Sequence, residues 1–377
     1  MTLTERILGS KALAALASPH SVDRYLEMVN PMWAATEVRA RVVDVVRETD
    51  GVADGAAAVA TLTLQPTSTW RGHRAGQYVQ VGVEMHGARR TTRCFSISSA
   101  ASLPGERFTI TVRANDAASV ERSVSQFLVH EARPGQMVHL SQAQGEFTLT
   151  ESPATPTNNR LLMISGGSGI TPVMSQLRTL LRDGYDGHVG RKVTFLHFAR
   201  SPEDQIFAEE LAEIAAADNG VEVHLRYGDQ LFSEFELRRL VPAFRDTDTW
   251  VCGPAGLVEL VCAAYGVSTD STAGSRLRIE FFKLATARPA TGAPEGDVTF
   301  ARAGKSATNT GASLLEQAEA LGLRPESGCR MGICFSCIST KTEGTVRNLL
   351  TGEESSLPDE EIRICVSAPT GDCVVDL

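Results

Sequence analysis

The sequence has 377 residues, enough for two or three domains that each bury a hydrophobic core. Its apolar fraction of 42% is ordinary for a globular protein, and its formal net charge of −9 argues against nucleic acid as a partner. No apolar run approaches the ~20 residues that span a bilayer, and the first residues lack the pattern of a signal peptide. Four of the eight cysteines belong to a metal-ligand motif described below, and the other four, Cys94, Cys252, Cys262 and Cys373, show no paired pattern of disulfides. We therefore expect a cytoplasmic protein.

Residues 1–36 predict a helical extension. Its apolar side chains recur at three- and four-residue steps and would form one face: Val22, Tyr25, Leu26, Val29 and Trp33. The Asn30-Pro31 pair is expected to end or bend this helix. We expect the apolar face to pack on the following domain, and the alternative is a surface that binds a membrane or a partner.

Residues 37–152 contain short strands, which favour an antiparallel β-barrel. The predicted strands are Arg39–Val46, Ala58–Leu64, Tyr78–Val83, Arg107–Val112 and Met137–Leu140. Near the centre of this region, Arg93 and Phe95 would share one face of an extended strand and Ser96 the other. Such groups can hold a phosphate, stack on a flat heterocycle and hydrogen-bond a ring nitrogen. Taken alone, this motif fits an ordinary strand better.

The next domain, residues 158–286, is predicted to be a doubly wound α/β domain. A segment rich in proline, threonine and asparagine, Ser152–Asn159, marks its start. Its strands are predicted at Leu161–Ser165, Lys192–Phe198, Val221–Tyr227 and Thr249–Cys252, with helices between them. The apolar run of the first of these is typical of a buried parallel strand.

A glycine-rich loop follows the first of these strands. Gly166, Gly167 and Gly169 would let the loop approach a phosphate at the start of a helix, whose dipole favours an anion. Thr171 suits the N-cap of that helix and Pro172 its first position. Pro172 stands where the common G-x-G-x-x-G pattern has its third glycine, and the alternative is a plain strand–turn–helix.

Three polar residues occur where the 2′-phosphate of an adenosine would lie. Arg200 and Ser201 follow the second strand and Arg226 ends the third, so we expect NADPH rather than NADH. In the alternative interpretation they are solvated loop residues. The sequence Cys252-Gly253-Pro254 ends a strand at the same edge of the sheet, where ligands gather, although Cys252 also fits a buried structural thiol.

A segment rich in proline, alanine, glycine and threonine predicts a linker at residues 287–296, before a last domain at 297–377. This domain is expected to begin with the strand Val298–Ala303, followed by a helix with a capping box between Ser313 and Glu316. It contains 12 Asp and Glu against 7 Lys and Arg. Its acidic surface is either a solvated face or a docking face for a basic partner.

Four cysteines of the last domain predict a metal centre. Cys329, Cys334 and Cys337 have the spacing C-x4-C-x2-C, and 27 residues separate Cys337 from Cys365. This is the ligand spacing of a plant-type [2Fe–2S] cluster. A structural zinc site is the alternative, but zinc ribbons favour two C-x2-C pairs and only one is present. None of the eight histidines forms a metal-type pair.

Together these motifs resemble the ferredoxin–NADP reductase family, and the tail resembles a plant-type ferredoxin. The resemblance covers about residues 38–377 and rests on four motifs in order: Gly76-Gln77-Tyr78, Arg93-x-Phe95-Ser96, Gly166–Pro172 and Cys252-Gly253-Pro254. It implies a multidomain protein with an antiparallel β-barrel flavin domain, an α/β doubly wound nucleotide domain and an α+β, ferredoxin-like (β-grasp) iron–sulfur domain. The arrangement looks like reductases that supply oxygenases, hydroxylases and fatty acyl desaturases.

The resemblance also implies roles for residues of the first domain. Arg93 would bind a flavin phosphate, Phe95 would lie against the flavin, and Ser96 would hydrogen-bond flavin N5. Ser125, in a stretch that predicts the start of a helix, would bind the pyrophosphate. Val112, at the end of a predicted strand, is a further cofactor-binding candidate.

Near the reacting atoms, the resemblance places Cys252 beside nicotinamide C4, and Glu280 and Phe282 beside the flavin. Two residues depart from the family pattern. Phe95 replaces the usual tyrosine, and Arg122 stands where the family often has glycine. We expect FAD, with FMN as the alternative.

These features predict an enzyme that takes a hydride from NAD(P)H to a flavin and then passes single electrons through the cluster. The N-terminal extension and the cluster loop look most like reductases of acyl-CoA desaturases. We therefore expect a diiron acyl-CoA desaturase or hydroxylase as acceptor, with the reductase peripheral to it if that partner is membrane-bound. A Rieske ring-hydroxylating oxygenase is the alternative acceptor. A non-catalytic iron–sulfur protein for redox sensing is the alternative class.

Overall fold

The computed structural model describes residues 22–51, 57–85, 89–114, 123–149, 159–183, 192–269, 272, 274–280, 295–327, 332, 337–349 and 352–377. The chain divides into two compact units, Met1–Glu280 and Phe281–Leu377. Separate clusters of buried apolar side chains lie in the two units. In these ranges the structure contains no helix whose length and apolar character would allow it to cross a membrane.

A short helix, α1 (Val22–Val29), precedes the first sheet. Its anchor is the buried carboxylate of Asp23, which accepts hydrogen bonds from the Ala35 N–H and the Thr36 hydroxyl, both at 2.6 Å. Burial alone would raise the pKa of Asp23, but these bonds outweigh it and lower the pKa. Tyr25 and Trp33, by contrast, are about half exposed. The helix is therefore held through Asp23 rather than through the predicted apolar face.

The first unit begins with a six-stranded antiparallel sheet of order β4-β3-β6-β1-β2-β5. Its elements are β1 (Val38–Thr49), β2 (Val59–Pro66), β3 (Tyr78–Met85), β4 (Arg89–Ser96), β5 (Phe108–Arg113), α2 (Val124–Gln126), a π-helical turn (Phe127–Glu131) and β6 (Met137–Leu140). A single bridge between Ile97 and Ile110 joins the two edges of this sheet, because Ile97 follows β4 and Ile110 lies in β5. Valine and leucine side chains of alternating strand positions fill the core beneath it.

The same unit continues into a five-stranded parallel sheet of order β11-β10-β7-β8-β9. Its elements are β7 (Arg160–Gly166), a 3₁₀ turn (Gly167–Gly169), α3 (Ile170–Arg182), β8 (Lys192–Ala199), a 3₁₀ turn (Pro202–Asp204), α4 (Ala208–Ala216), β9 (Val221–Tyr227), α5 (Glu234–Leu240), a 3₁₀ turn (Phe244–Asp246), β10 (Asp248–Cys252), α6 (Ala255–Tyr265) and β11 (Leu277–Glu280). Strand order reverses at β7, which has β8 on one side and β10 on the other. Such a reversal opens a ligand crevice at the carboxyl ends of the strands.

In its described residues, the second unit consists of a six-stranded mixed sheet and one α-helix. Its elements are β12 (Asp297–Phe300), β13 (Lys305–Thr308), α7 (Leu314–Ala320), β14 (Ile338–Asn348), β15 (Glu354–Ser355), β16 (Glu360–Arg363) and β17 (Ser367–Asp376). The order is β13-β12-β17-β14-β15, and β16 also pairs with β14. The capping box predicted for α7 is present, since Ser313 and Glu316 exchange side-chain and backbone hydrogen bonds. Lys341 is fully buried and donates to the Gly344 carbonyl at 3.0 Å.

Candidate functional site

A row of polar side chains crosses the carboxyl edge of the parallel sheet. Cys252 of β10 is in register with Ser165 of β7 on one side and with Glu280 of β11 on the other. Residues in register on neighbouring parallel strands project from the same face of a sheet. The fold therefore brings Cys252 and Glu280 together, as neighbours, at the crevice beside β7.

Cys252 and Glu280, two neighbours in this row, are both neutral at pH 7. Cys252 is completely buried, and burial, followed by the nearby Glu280 carboxyl, raises the pKa of its thiol well above the ordinary value. Burial also raises the pKa of Glu280 to about 8. Its Oε2 atom is shielded from solvent and has no hydrogen-bond partner among the described residues. Glu280 is therefore mostly protonated at pH 7, and no described residue hydrogen-bonds to its Oε2 atom.

The row extends to His197, a histidine that was not among the predicted site residues. Ser165 is in register with His197 of β8, and Ser165 Oγ lies 2.8 Å from His197 Nδ1. Burial lowers the pKa of His197 to about 3, so the ring is neutral at physiological pH. The sequence signal that could have found this pair is a polar residue, Ser165 or His197, next to bulky apolar residues of a predicted strand.

The glycine-rich loop packs against the end of β10. A Cβ at Gly169 would lie 2.3 Å from the Cys252 carbonyl oxygen, and one at Gly166 would lie 2.8 Å from Leu257 Cδ2. Gly167 differs, because its φ of +53° favours glycine while the space around it is open. Gly166 and Gly169 therefore allow the glycine loop to lie close to the end of β10 and the start of α6. At Gly167 no side chain covers the open side of the loop.

The start of the following helix differs from the prediction. Helix α3 begins at Ile170 with Gly169 as its N-cap, so Thr171 and Pro172 both lie inside the first turn. The Thr171 hydroxyl donates to the Ser168 carbonyl at 3.0 Å instead of capping the helix. The predicted N-cap at Thr171 was wrong because the chain enters the helix earlier, through the 3₁₀ turn of the glycines.

The predicted 2′-phosphate residues lie at the ends of β8 and β9. Arg200 is exposed, and its carbonyl accepts the Gly228 N–H at 3.0 Å, which links the loops after the two strands. Ser201 precedes a 3₁₀ turn. Arg226 is engaged elsewhere, because its Nε donates to Glu236 of α5 at 2.7 Å in a pair that is about four-fifths buried. Gly253 and Pro254 follow β10 on the opposite side of the crevice.

The predicted flavin residues gather on β4, an edge strand. Ser96 is buried opposite Tyr78, Phe95 packs partly on the core, and Arg93 is half-buried. Val112 faces the core of the sheet with its side chain fully buried.

A short helical segment completes this cluster. Helix α2 packs on β3 and β4, which brings Ser125 to the same strand. Ser125 Oγ lies 3.0 Å from the Oγ of Ser123, which caps the helix by accepting the Gln126 N–H. A hydroxyl, an arginine and an aromatic ring on one edge fit the phosphate and ring of a flavin.

Two of the four predicted cluster ligands are described, and they face each other. The Sγ atoms of Cys337 and Cys365 are 3.0 Å apart and both residues are buried. This separation is well beyond the about 2.05 Å of a disulfide. Cys365 lies two residues past β16, and the Ile364 N–H donates to the Cys337 carbonyl at 3.1 Å. Paired buried thiols of this kind fit ligands of one metal centre.

The remaining predicted site residues are Cys329, Cys334 and Phe282, and they lie outside the described residues, as does Arg122. Within the described ranges, no three cysteine, histidine or acidic side chains form a group able to hold a metal ion. The structure therefore describes half of the predicted cysteine set.

Two family models match the sequence. Residues 163–263 match the oxidoreductase NAD-binding domain, and residues 300–370 match the 2Fe-2S iron–sulfur cluster binding domain. The first match spans the glycine loop and Cys252, and the second spans all four predicted ligand cysteines.

Similar proteins extend the comparison to nearly the whole chain. An NADPH oxidoreductase of Mycobacterium tuberculosis (strain ATCC 25618 / H37Rv) is 37% identical over 97% of this chain and 91% of its own length. The glycine betaine monooxygenase reductase subunit of Pseudomonas aeruginosa (strain UCBPP-PA14) is 28% identical over 80% and 87%. The solved structure of phthalate dioxygenase reductase shares the fold with a TM-score of 0.57 at 21% identity, over 90% of this chain and 97% of that one.

Proposed function

Because this chain belongs to the ferredoxin–NADP reductase family, as a flavoprotein fused to a [2Fe–2S] ferredoxin domain, we propose that it carries electrons from NADPH to a diiron acyl-CoA desaturase or hydroxylase. The chain is an NAD(P)H-dependent oxidoreductase with a flavin and a [2Fe–2S] cluster as cofactors. The observation that carries the hydride-transfer part of this proposal is the row of Ser165, Cys252 and Glu280 at the crevice of the nucleotide sheet.

The bound flavin and cluster supply the conversion of a two-electron hydride into single electrons. The side chains and loops of the protein form the binding site around the reacting groups. We infer that the glycine loop and Pro254 receive the pyridine nucleotide on the two sides of the crevice, and that Cys252 lies beneath the nicotinamide. A buried, neutral thiol brings no charge to the reacting carbon and excludes water from it. The proton on the Glu280 carboxyl is available at the same place.

We propose that the flavin lies along β4. Arg93 would bind its phosphate, Phe95 would lie against its ring system, and Ser96 would donate to its N5 atom. Ser125 would hold the pyrophosphate of FAD. Extraction of the flavin from purified protein, followed by chromatography against FAD and FMN standards, tests this assignment, and release of FMN alone contradicts it.

The domain boundaries follow the same assignment. We propose an N-terminal extension at residues 1–36, a flavin domain at 37–152, a nucleotide domain at 158–286, a linker at 287–296 and a ferredoxin domain at 297–377. The bridge between Ile97 and Ile110 supports closure of the flavin domain into a barrel. The sheet of β12 to β17 with α7 packed on it supports a β-grasp fold for the last domain.

Several similar proteins are named as reductase subunits of oxygenases, which favours an oxygenase as a second possible electron acceptor. Relatives include reductase subunits of a glycine betaine monooxygenase and of 3-ketosteroid-9-alpha-monooxygenase. An oxygenase is therefore the second candidate, and the Rieske ring-hydroxylating oxygenase named as the alternative in the sequence analysis is of this class. Reconstitution with each acceptor under one NADPH supply separates the two: product formation with the desaturase supports the first proposal, and formation only with the oxygenase supports the second.

The function itself is tested by mixing anaerobic protein with NADPH or NADH and recording the visible spectrum. We expect the flavin band to disappear together with partial bleaching of the cluster band. Faster bleaching with NADPH than with NADH supports the assignment of Arg200 and Ser201. A preparation that contains zinc and no flavin would exclude the reductase.

A further inference from the structure

One stripe of helix α3 bonds to the segment that follows the flavin strand. Ser175, Arg178, Thr179 and Arg182 are spaced i, i+3, i+4 and i+7, so their side chains share a face of the helix. Each makes a hydrogen bond to the backbone of residues 98–101. We call these four side chains and residues 98–101 the α3 seam.

The first part of the seam is fully buried. Ser175 Oγ donates to the Ser99 carbonyl at 2.6 Å, and the neighbouring Gln176 Nε2 donates to the Phe147 carbonyl at 2.9 Å. Ser175 and Gln176 are both inaccessible to solvent. Because buried hydrogen bonds are costly to break, this end of the seam resists separation of the two sheets.

Arg178 lies at the centre of the seam and joins three elements. Its Nη1 donates to the Ser98 carbonyl at 2.6 Å, while its Nε donates to Glu210 of α4 at 2.9 Å. Its guanidinium also stacks 4.4 Å from the ring centroid of Phe207. A planar guanidinium held by a carboxylate and an aromatic ring has little freedom to rotate. The Ser98 carbonyl is thus bound by a donor of fixed orientation.

The last part of the seam lies near the end of α3. The Ala101 N–H donates to Thr179 Oγ1 at 2.9 Å, and Arg182 donates to the Ala101 carbonyl. The other side of the segment is also fixed, since the Ser98 hydroxyl is 2.9 Å from Thr109 Oγ1 of β5. Residues 98–101 are therefore held between the antiparallel sheet and α3.

The seam connects the two halves of the proposed hydride-transfer site. Helix α3 starts at the glycine loop, and residues 98–101 begin two residues after Ser96. A rotation of one sheet against the other would change the distance between these two places. We propose that the α3 seam sets the approach of the nicotinamide to the flavin, with Arg178 as its central positioning residue. This inference rests on the proposed assignment of Ser96 and the glycine loop.

The test compares Arg178→Ala with Arg160→Ala in the full, flavin-loaded chain. Arg160 also pairs with a carboxylate, Glu222, and with Thr194, but inside the nucleotide sheet. In Arg178→Ala we expect faster amide hydrogen exchange in peptides that cover residues 97–104, which includes the Ala101 N–H. In stopped-flow mixing we expect the limiting rate of flavin reduction to fall by about tenfold or more, because small misplacements of reacting atoms are costly. The dissociation constant of the nucleotide should change by less than about threefold, because the change is one of orientation.

Unchanged exchange and an unchanged limiting rate in Arg178→Ala would overturn the proposal, and so would a loss confined to the dissociation constant. Equal losses in Arg160→Ala would overturn it as well. If Arg178→Ala does not fold, Arg178→Lys and Ser175→Ala decide on the same criteria, since each removes part of the seam with a small change of volume. A wild-type protein that oxidises neither NADPH nor NADH would instead contradict the proposed function, and the exchange measurement would still report on the seam.

Discussion

At the scale of single residues, the site depends on two groups whose charge is suppressed by burial. Cys252 and Glu280 are neighbours on adjacent strands, and burial keeps both neutral near pH 7. A carboxyl group of raised pKa in a ligand crevice is a frequent feature of functional sites. Its protonated state follows from the fold, since the sequence Arg278-Ile279-Glu280 would ionise normally in an unfolded chain.

The titration of Glu280 should appear in the pH dependence of stability. Between its ordinary pKa of 4.5 and the folded value of about 8, the unfolded chain loses this proton while the folded chain keeps it. Stability should therefore fall as pH rises through this range. Glu280→Gln removes the titration, so its melting temperature relative to wild type should be higher at pH 9 than at pH 5. The same substitution at the exposed Glu259 is the control, and an equal pH trend in both variants would contradict the assignment.

Arg200 gives a second prediction at this scale. If its exposed guanidinium binds the 2′-phosphate, Arg200→Ala should raise the KM for NADPH by about 10- to 100-fold, the contribution of one charged hydrogen bond, and leave that for NADH nearly unchanged. Arg226→Ala is the comparison, because Arg226 is already paired with Glu236 and should affect both nucleotides alike. Steady-state kinetics with the two nucleotides measure this difference. A parallel loss for NADPH and NADH in Arg200→Ala would argue against a 2′-phosphate contact.

At the scale of elements, the crevice depends on close packing between the glycine loop and the end of β10. A Cβ at Gly169 would lie 2.3 Å from the Cys252 carbonyl oxygen, and a Cβ at Gly166 or Gly253 would lie 2.8 or 3.0 Å from Leu257 Cδ2 of α6. The loops can therefore approach only because these positions lack a Cβ. The sequence predicts that the glycines let this loop approach a phosphate. For Gly167, whose surroundings are open, that role remains a proposal.

Gly169→Ala should destabilise the first unit by about 1–3 kcal/mol, the usual cost of overpacking a tight contact. Gly256, near the start of α6, has open space around it, so Gly256→Ala should be neutral or stabilise by up to about 1 kcal/mol. Urea unfolding of the two variants, followed by circular dichroism, measures both changes. Equal stability of the variants would show that the loop adapts to a side chain at position 169.

At the scale of the whole molecule, the chain joins two units that perform different chemistry. The first contains the proposed hydride-transfer site, and the second contains the facing thiols of Cys337 and Cys365. Because the two units are proposed to carry out separate steps, loss of the cluster in the second unit should leave flavin reduction in the first unit intact.

Cys365→Ala should keep flavin reduction by NADPH but reduce electron delivery to a one-electron acceptor to the background rate. The expected cause is loss of a cluster ligand, which iron and acid-labile sulfide analysis would show. Cys373→Ala is the matched control, because Cys373 is equally buried in the same unit and is not among the predicted ligands. Full delivery to the acceptor by Cys365→Ala would contradict the proposed order of electron transfer.

Local patterns were sufficient to predict much of the chain. The predicted strands Ala58–Leu64 and Val221–Tyr227 match β2 and β9 to within two residues, the capping box of Ser313 and Glu316 is formed, and the spacing of the cysteines indicated the iron–sulfur domain. These features depend on neighbours in sequence, through side-chain period, capping and ligand spacing. The error at Thr171 is also local. The N-cap was predicted from the residue type alone, without the 3₁₀ turn that precedes the helix.

The tertiary structure decided which distant residues meet. Strand order placed His197, Ser165, Cys252 and Glu280 in one row, although Ser165 and Glu280 are 115 positions apart in the chain. It also directed Arg226 to Glu236 and Arg178 to the Ser98 carbonyl. Burial and pairing set the charge of a group and the partner of an arginine, and both depend on contacts between elements far apart in the chain. The sequence therefore determined the chemistry that is available, and the fold determined where it is used.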